Sequence, residues 1–187
     1  MPVDNNIYLV GTQFKNGNLR VTTEGVNATY GIASAGNTPV ATPTDVATLY
    51  GSASKTVRVK RVTVSGQATT AGSMNVSLIK RTAANTGGTS TTPTIGQFDS
   101  ADAAATATAL LYNTTNPTTL GAGVALSMQT LNFGVAGAAG TVVFDFSNRN
   151  DKPIILNGVA QGLAINFNGG AVPTGGTFGY TIEFDEV

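Results

Sequence analysis

Thr177-Phe178-Gly179-Tyr180-Thr181-Ile182-Glu183-Phe184-Asp185-Glu186 is the stretch that decides the fold. Phe178, Tyr180, Ile182 and Phe184 recur at every second position, and Thr177, Gly179, Thr181 and Glu183 fill the positions between them. A period of two puts these sets on opposite faces of a pleated strand, one apolar and one polar. Such a strand lays one face on a core, as in a sheet packed against a second sheet. On this pattern Glu183 and Asp185 are expected on the solvent face, where acids protect an edge.

The same period recurs upstream. Leu163, Ile165 and Phe167 alternate with Ala164 and Asn166, and the glycine-rich Gly169 to Gly176 follows. With the C-terminal strand this predicts a long-looped antiparallel hairpin. Val142, Phe144 and Phe146 form another strand, ended by the turn-like Ser147 to Pro153 and followed by the short run Ile154 to Leu156. Over Val57 to Val64 the apolar phase flips between Lys60 and Arg61, so Val57/Val59 and Val62/Val64 share a face only if one extra residue is inserted; a β-bulge is predicted there. Gly66 to Gly72 turns the chain into Met74, Val76 and Leu78. Ile7 to Phe14, Ala105 to Tyr112 and Gln129 to Phe133 complete about eight or nine strands. Thr44 to Tyr50 and Ser100 to Ala109 are the stretches that could hold a short helical turn, although their threonines weaken it. Ala33 to Pro43 and Thr82 to Gly96 read as long loops.

The fold expected is therefore all-β, an antiparallel β-sandwich over residues 31–187 with long Gly/Thr-rich loops. Residues 1–30 form an N-terminal segment, an extended arm or a first strand.

Composition limits the chemistry. The 187 residues include no histidine, cysteine or tryptophan, ten Lys plus Arg and ten Asp plus Glu. Charged residues are 11%, against roughly 25% in an ordinary soluble domain, while 29 threonines and 23 glycines fill the polar positions. Zero net charge provides no basic field for nucleic acid. Disulfides and thiolate metal sites are excluded, and neither a Ser-His-Asp nor a Cys-His triad can be assembled. The start Met1-Pro2-Val3-Asp4-Asn5-Asn6 lacks the basic and apolar regions of a signal peptide, and no run approaches 18 apolar residues, so a cytoplasmic origin and no membrane partner are expected.

Carboxylate chemistry remains open to Asp99, Asp102, Asp145, Glu183, Asp185 and Glu186, but it needs burial that the pattern does not promise. Asp99-Ser100-Ala101-Asp102 has too few ligands for calcium and reads as a cap or turn. The pairs Gly87-Gly88, Gly169-Gly170 and Gly175-Gly176 match no phosphate loop and read as turns. No catalytic residue, cofactor or metal is assigned. Arg58, Lys60 and Arg61, with Lys80 and Arg81 on the next strand, are five of the ten cations. If those two strands pair, they form a positive docking patch; the alternative is protection of a sheet edge.

Arg61-Val62-Thr63-Val64-Ser65-Gly66-Gln67-Ala68-Thr69-Thr70-Ala71-Gly72, the run Leu78 to Ser90, the run Lys152 to Ala160 and the ending Thr181 to Glu186 together resemble small virion structural proteins of tailed bacteriophages. They cover about half of the chain. The resemblance implies a jelly-roll-like sandwich that acts as a capsid decoration or cement protein. Such a protein is made in the host bacterial cytoplasm and sits on the virion surface. Its partners are then the major capsid protein and itself, a homotrimer being favoured, with no nucleic acid and no membrane. The expected contact elements are Val3, Asp4 and Asn5 in the polar N-terminal segment, the cations Arg58, Lys60, Arg61, Lys80 and Arg81, and Asn85 and Thr86 in the loop Thr82 to Gly96. Two alternatives stand beside this: a tail, baseplate or head-fibre protein, and a carbohydrate-binding or adhesin module on a jelly-roll scaffold. The latter would stack sugars on Tyr8, Tyr30, Tyr50 or Tyr112.

Overall fold

The computed structural model describes residues 27–135, 137–147 and 152–187, together with the backbone of two short strands, β1 (Phe14–Lys15) and β2 (Asn18–Leu19), which pair with each other. Twelve further strands follow: β3 (Thr29–Asn37), β4 (Thr44–Tyr50), β5 (Thr56–Gln67), β6 (Gly72–Arg81), β7 (Thr89–Thr91), β8 (Ile95–Gln97), β9 (Thr108–Thr115), β10 (Gly123–Phe133), β11 (Gly140–Asp145), β12 (Ile154–Asn157), β13 (Gly162–Phe167) and β14 (Thr177–Glu186). No helix occurs among the described residues.

The chain runs out through β3, β4, β5 and β6 and returns through β10 to β14, and each returning strand lies antiparallel beside its outgoing counterpart. β14 pairs with β3, β13 with β4, β11 and β12 with β5, and β10 with β6. This ribbon rolls up because β14 also pairs with β5 and β13 with β6. The result is two antiparallel sheets, ordered β11-β5-β14-β3-β8 and β10-β6-β13-β4-β9-β7. Their main strands follow the wrapping order of a jelly roll, with β7, β8 and β9 inserted at the far end of the ribbon.

Burial follows the alternation. Phe178, Tyr180, Ile182 and Phe184 all lie in the core, as do Phe144, Leu163, Ile165 and Phe167. Phe167 of one sheet meets Phe178 of the other edge-on at 4.8 Å and Phe133 at 6.3 Å, while Tyr30 stacks on Phe184 at 5.3 Å. Aromatic contacts of this kind add to area burial and fix how the layers sit on one another. Gly66 makes room for Phe133, because a Cβ there would lie 2.8 Å from its ring.

The predicted bulge is present. Glu183 of β14 pairs with Arg61 and Phe184 with Val59, so Lys60 has no residue opposite it, and Val57, Val59, Val62 and Val64 are all fully buried. The other neighbour of β5 breaks at the same place: β11 ends opposite Arg61 and β12 begins opposite Val59.

Four expectations need correction. β13 and β14 are not a hairpin, since they lie in different sheets and the glycine-rich segment between them crosses from one to the other. Thr44 to Tyr50 is a strand, buried on both faces, which removes the alternation that would have marked it. Ser100 to Ala109 forms a turn and an extended lead into β9, in which Asp99 accepts from the Ala101 amide at 2.9 Å, as its turn reading required. The segments read as long loops carry structure: Ala33 to Asn37 continues β3, and the second contains β7 and the start of β8. The strand expected from Ile7 lies outside the described residues except for its last residue, Phe14.

The bulge supplies a direct test. Deleting Lys60, the unpaired extra residue, should remove the bulge and leave all four valines on one face, so cooperative unfolding should persist; deleting Thr63, which is paired on both sides, should put Val62 and Val64 on opposite faces and abolish it. Equal damage from both deletions in urea melts would contradict this register.

Candidate contact surface

Charge is handled inside the molecule. Asp45 on β4 is fully buried and grips Arg81 at the end of β6 through two bonds, Nε to Oδ2 at 2.9 Å and Nη2 to Oδ1 at 2.7 Å. Its oxygens also accept from Asn166 Nδ2 of β13 and Asn85 Nδ2, each at 2.8 Å. Arg81 Nη1 donates to the Gly121 carbonyl, the Gly121 amide donates to Asn85 Oδ1, and the Asn85 amide donates to the Tyr50 hydroxyl. One carboxylate thus ties three strands to the loops on either side of the β7 to β9 insertion. Paired in this way, two buried charges satisfy each other's hydrogen-bonding capacity.

A second latch closes the C-terminus. Glu186, buried at the end of β14, accepts from the amides of Thr106 at 2.8 Å and Ala107 at 2.7 Å and from the Thr106 hydroxyl, with Lys55 Nζ at 3.2 Å. Next to it Asp185 is buried under Arg58, at 2.6 and 2.7 Å, and Lys60 at 3.1 Å. This corrects the solvent-facing placement expected of Asp185: the residue lies on that face, but two cations cover it. Hydrogen bonding to Asp185 raises the pKa of Arg58. At the bulge Arg61 reaches Asp145 at 3.3 Å and Glu183 at 3.8 Å. The Ser147 amide and hydroxyl, and then Arg61, hold the Asp145 carboxyl below its ordinary value.

The expected positive patch does not form. β5 lies in one sheet and β6 in the other, so Arg58, Lys60 and Arg61 do not pair across to Lys80 and Arg81. Of the seven Lys and Arg residues whose side chains are described, five are in ion pairs with this chain's own acids. Asn85 is an internal tether, while Thr86 is exposed and bridges to Thr119 through backbone bonds. Gly87 and Gly88, both at positive φ, turn the loop there; a Cβ on either would run into Thr118 or Asn116. Val3, Asp4 and Asn5 lie outside the described residues.

Tyr30, Tyr50 and Tyr112, the aromatics set aside for sugar stacking, are buried, and Tyr8 lies outside the described residues. Phe98, at 65% exposure, is the one strongly exposed ring among the described residues. Two shallow depressions of about 160 and 430 Å³ adjoin at Gln67 and Thr177, and no ionisable side chain lines either. Among the described residues no three His, Cys, Asp or Glu side chains gather to hold a metal. The chain matches no protein-family model, no curated protein and no solved structure.

What the sequence did not reveal is the open apolar side at β10. Val124, Leu126 and Met128 on that strand are exposed, with Val135 and Val143 nearby in the chain. The signal was present, because Gly123 to Phe133 contains no charged residue.

Two tests follow from this geometry. Asp45→Ala should leave the Arg81 guanidinium buried without its partner and cost about 3–5 kcal/mol, read as a lower urea midpoint. Arg61→Ala, at a half-exposed pair, should shift the midpoint far less, and equal losses would contradict the assignment of Asp45 as the tether. Burial pushes the phenols of Tyr112 and Tyr180 up to about 12, from 10.0. A raised folded-state pKa contributes stability that is complete below pH 10 and lost as pH rises through 12. Absorbance titration should find both phenols neutral at pH 10 and ionising together with unfolding near pH 12; ordinary titration of all tyrosines at pH 10 in folded protein would refute this.

Proposed function

We propose that this protein is a structural component of a bacteriophage virion, a decoration or cement protein that binds the outside of the major capsid protein lattice and stabilises the mature head. The observation that carries this reading is the pairing of charge within the sandwich. Among the described residues five cations pair with this chain's own acids at the ends and along the edge of the strands, and the remaining exterior is mostly threonine, serine, asparagine, glycine, alanine and a few apolar side chains, with Asp99 and Lys152 the exposed charges. A surface of this kind suits broad, neutral contact with other proteins.

Its action would be mass action. A copy that binds the mature shell more tightly than its precursor shifts the equilibrium toward the mature form by that difference. Each copy that touches two neighbouring capsid subunits gains avidity and braces the contact between them.

The test uses heads stripped of this protein and the purified full chain. Rebinding to saturation with a raised head melting temperature is the expected result. Labelling confined to the tail would move the protein to the tail or baseplate, and binding to neither would end the virion reading.

A further inference from the structure

A sheet edge presents unpaired amides and carbonyls, and proteins blunt such edges by short strands, bulges, charge, proline or a covering loop. Three of the four edges of the two large sheets are short or broken. β7 and β8 are three residues each. The β11/β12 edge is interrupted between Asp145 and Ile154, and its Val143 carbonyl already accepts from Gln129 Nε2 at 2.9 Å.

Among the described residues the fourth edge has no partner. β10 is eleven residues long, contains no charged residue and no proline, and pairs with β6 on one side only among those residues. Near Phe133 the corner of the sandwich closes over it, where Gly134 bridges to Gln67; the open part runs through Val124, Leu126 and Met128. Val124 is 67% exposed, and Leu126 is the extra residue of a bulge between Ala125 and Ser127. The bulge twists the edge locally, but no charged or proline side chain accompanies it, and Leu126 stands 47% exposed there. Of eight large hydrophobic side chains exposed among the described residues, five fall between 124 and 143: Val124, Leu126, Met128, Val135 and Val143. Open backbone and exposed apolar side chains thus coincide on this strand.

We infer that the β10 edge joins two copies of this chain, strand to strand and antiparallel about a twofold axis. The strand is suited to its own copy for two reasons. It carries no charge, so identical edges meet without like-charge repulsion, whereas a charged peptide would find no counter-charge on it. An antiparallel pairing of one strand with itself is also the closed, self-complementary arrangement of a twofold dimer. Two copies would then share one continuous sheet. The inference goes beyond lattice binding and holds whether or not the protein belongs to a virion. It replaces the threefold association implied by the family resemblance with association in twos.

The full chain in sedimentation equilibrium should be a dimer. Leu126→Lys should weaken the dimer by roughly tenfold or more, since two cations then meet near the axis. Leu126→Glu should do the same, and an equimolar mixture of the two variants should recover a dimer, which a merely misfolded variant could not do. Val159→Lys, in the exposed turn after β12, should leave the dimer intact. A monomer at every concentration, a trimer, or an assembly indifferent to both Leu126 variants would overturn the inference.

Discussion

A carboxylate taken out of water must be neutralised where it sits, and the described residues include three that are buried. Asp45, Asp185 and Glu186 are each nearly or fully inaccessible, and each is met by cations or amides from a distant part of the sequence. The rest of the structure depends on those meetings. They occur at the rims of the sandwich, where hydrophobic packing ends, and they tie down segments that threonine and glycine could not hold by propensity. Arg81 and Asn85 fasten the beginning and end of the β7 to β9 insertion to β4, and Glu186 fastens the lead into β9 to the last strand. Removing one partner from such a site leaves a charge that neither water nor protein solvates, which is why these few residues matter more than their number suggests.

The same arrangement shapes the exterior. Cations drawn into pairs with buried or edge acids do not project an unopposed field, so the described surface is dominated by neutral hydrogen-bonding groups and the apolar side of β10, with few exposed charges such as Asp99 and Lys152. A surface of this composition is poor at steering charged ligands from a distance and well suited to close, extensive contact. The lattice contact proposed for the neutral faces and the pairing proposed for β10 both rely on that property, although each can fail without the other.

Much of the fold was legible because alternation is local. Phe178 to Phe184 announced a half-buried strand, and the phase slip at Lys60 located a bulge to the residue, since a face can be counted along one strand without knowing its neighbours. Partnership was not legible in the same way. β13 and β14 are adjacent in sequence and looked like a hairpin, yet each pairs with a strand more than a hundred residues earlier, and nothing in a glycine-rich connection says which sheet it enters. β4 escaped for another reason: both of its faces are buried, and its register shifts at Val46, where Ile165 pairs with Ala47 and Asn166 with Asp45, so no strict alternation of apolar and polar residues marks it. Of the proposed contact residues, Arg58, Lys60, Arg61 and Arg81 stood out as charges, but their partners Asp185, Asp145, Glu183 and Asp45 lie 36 to 127 positions away. Sequence spacing cannot distinguish a cation facing a neighbour from one facing its own chain.

The association proposed for this protein runs through neutral surface, because half of its charged residues are paired with one another within the sandwich. The most direct measurement is the strength of its association, with itself and with stripped heads, as salt rises toward about 1 M, where screening acts within roughly 3 Å. The account predicts affinity that stays level or strengthens. Steep weakening with salt would mean that unpaired charges make the contact, and would contradict it.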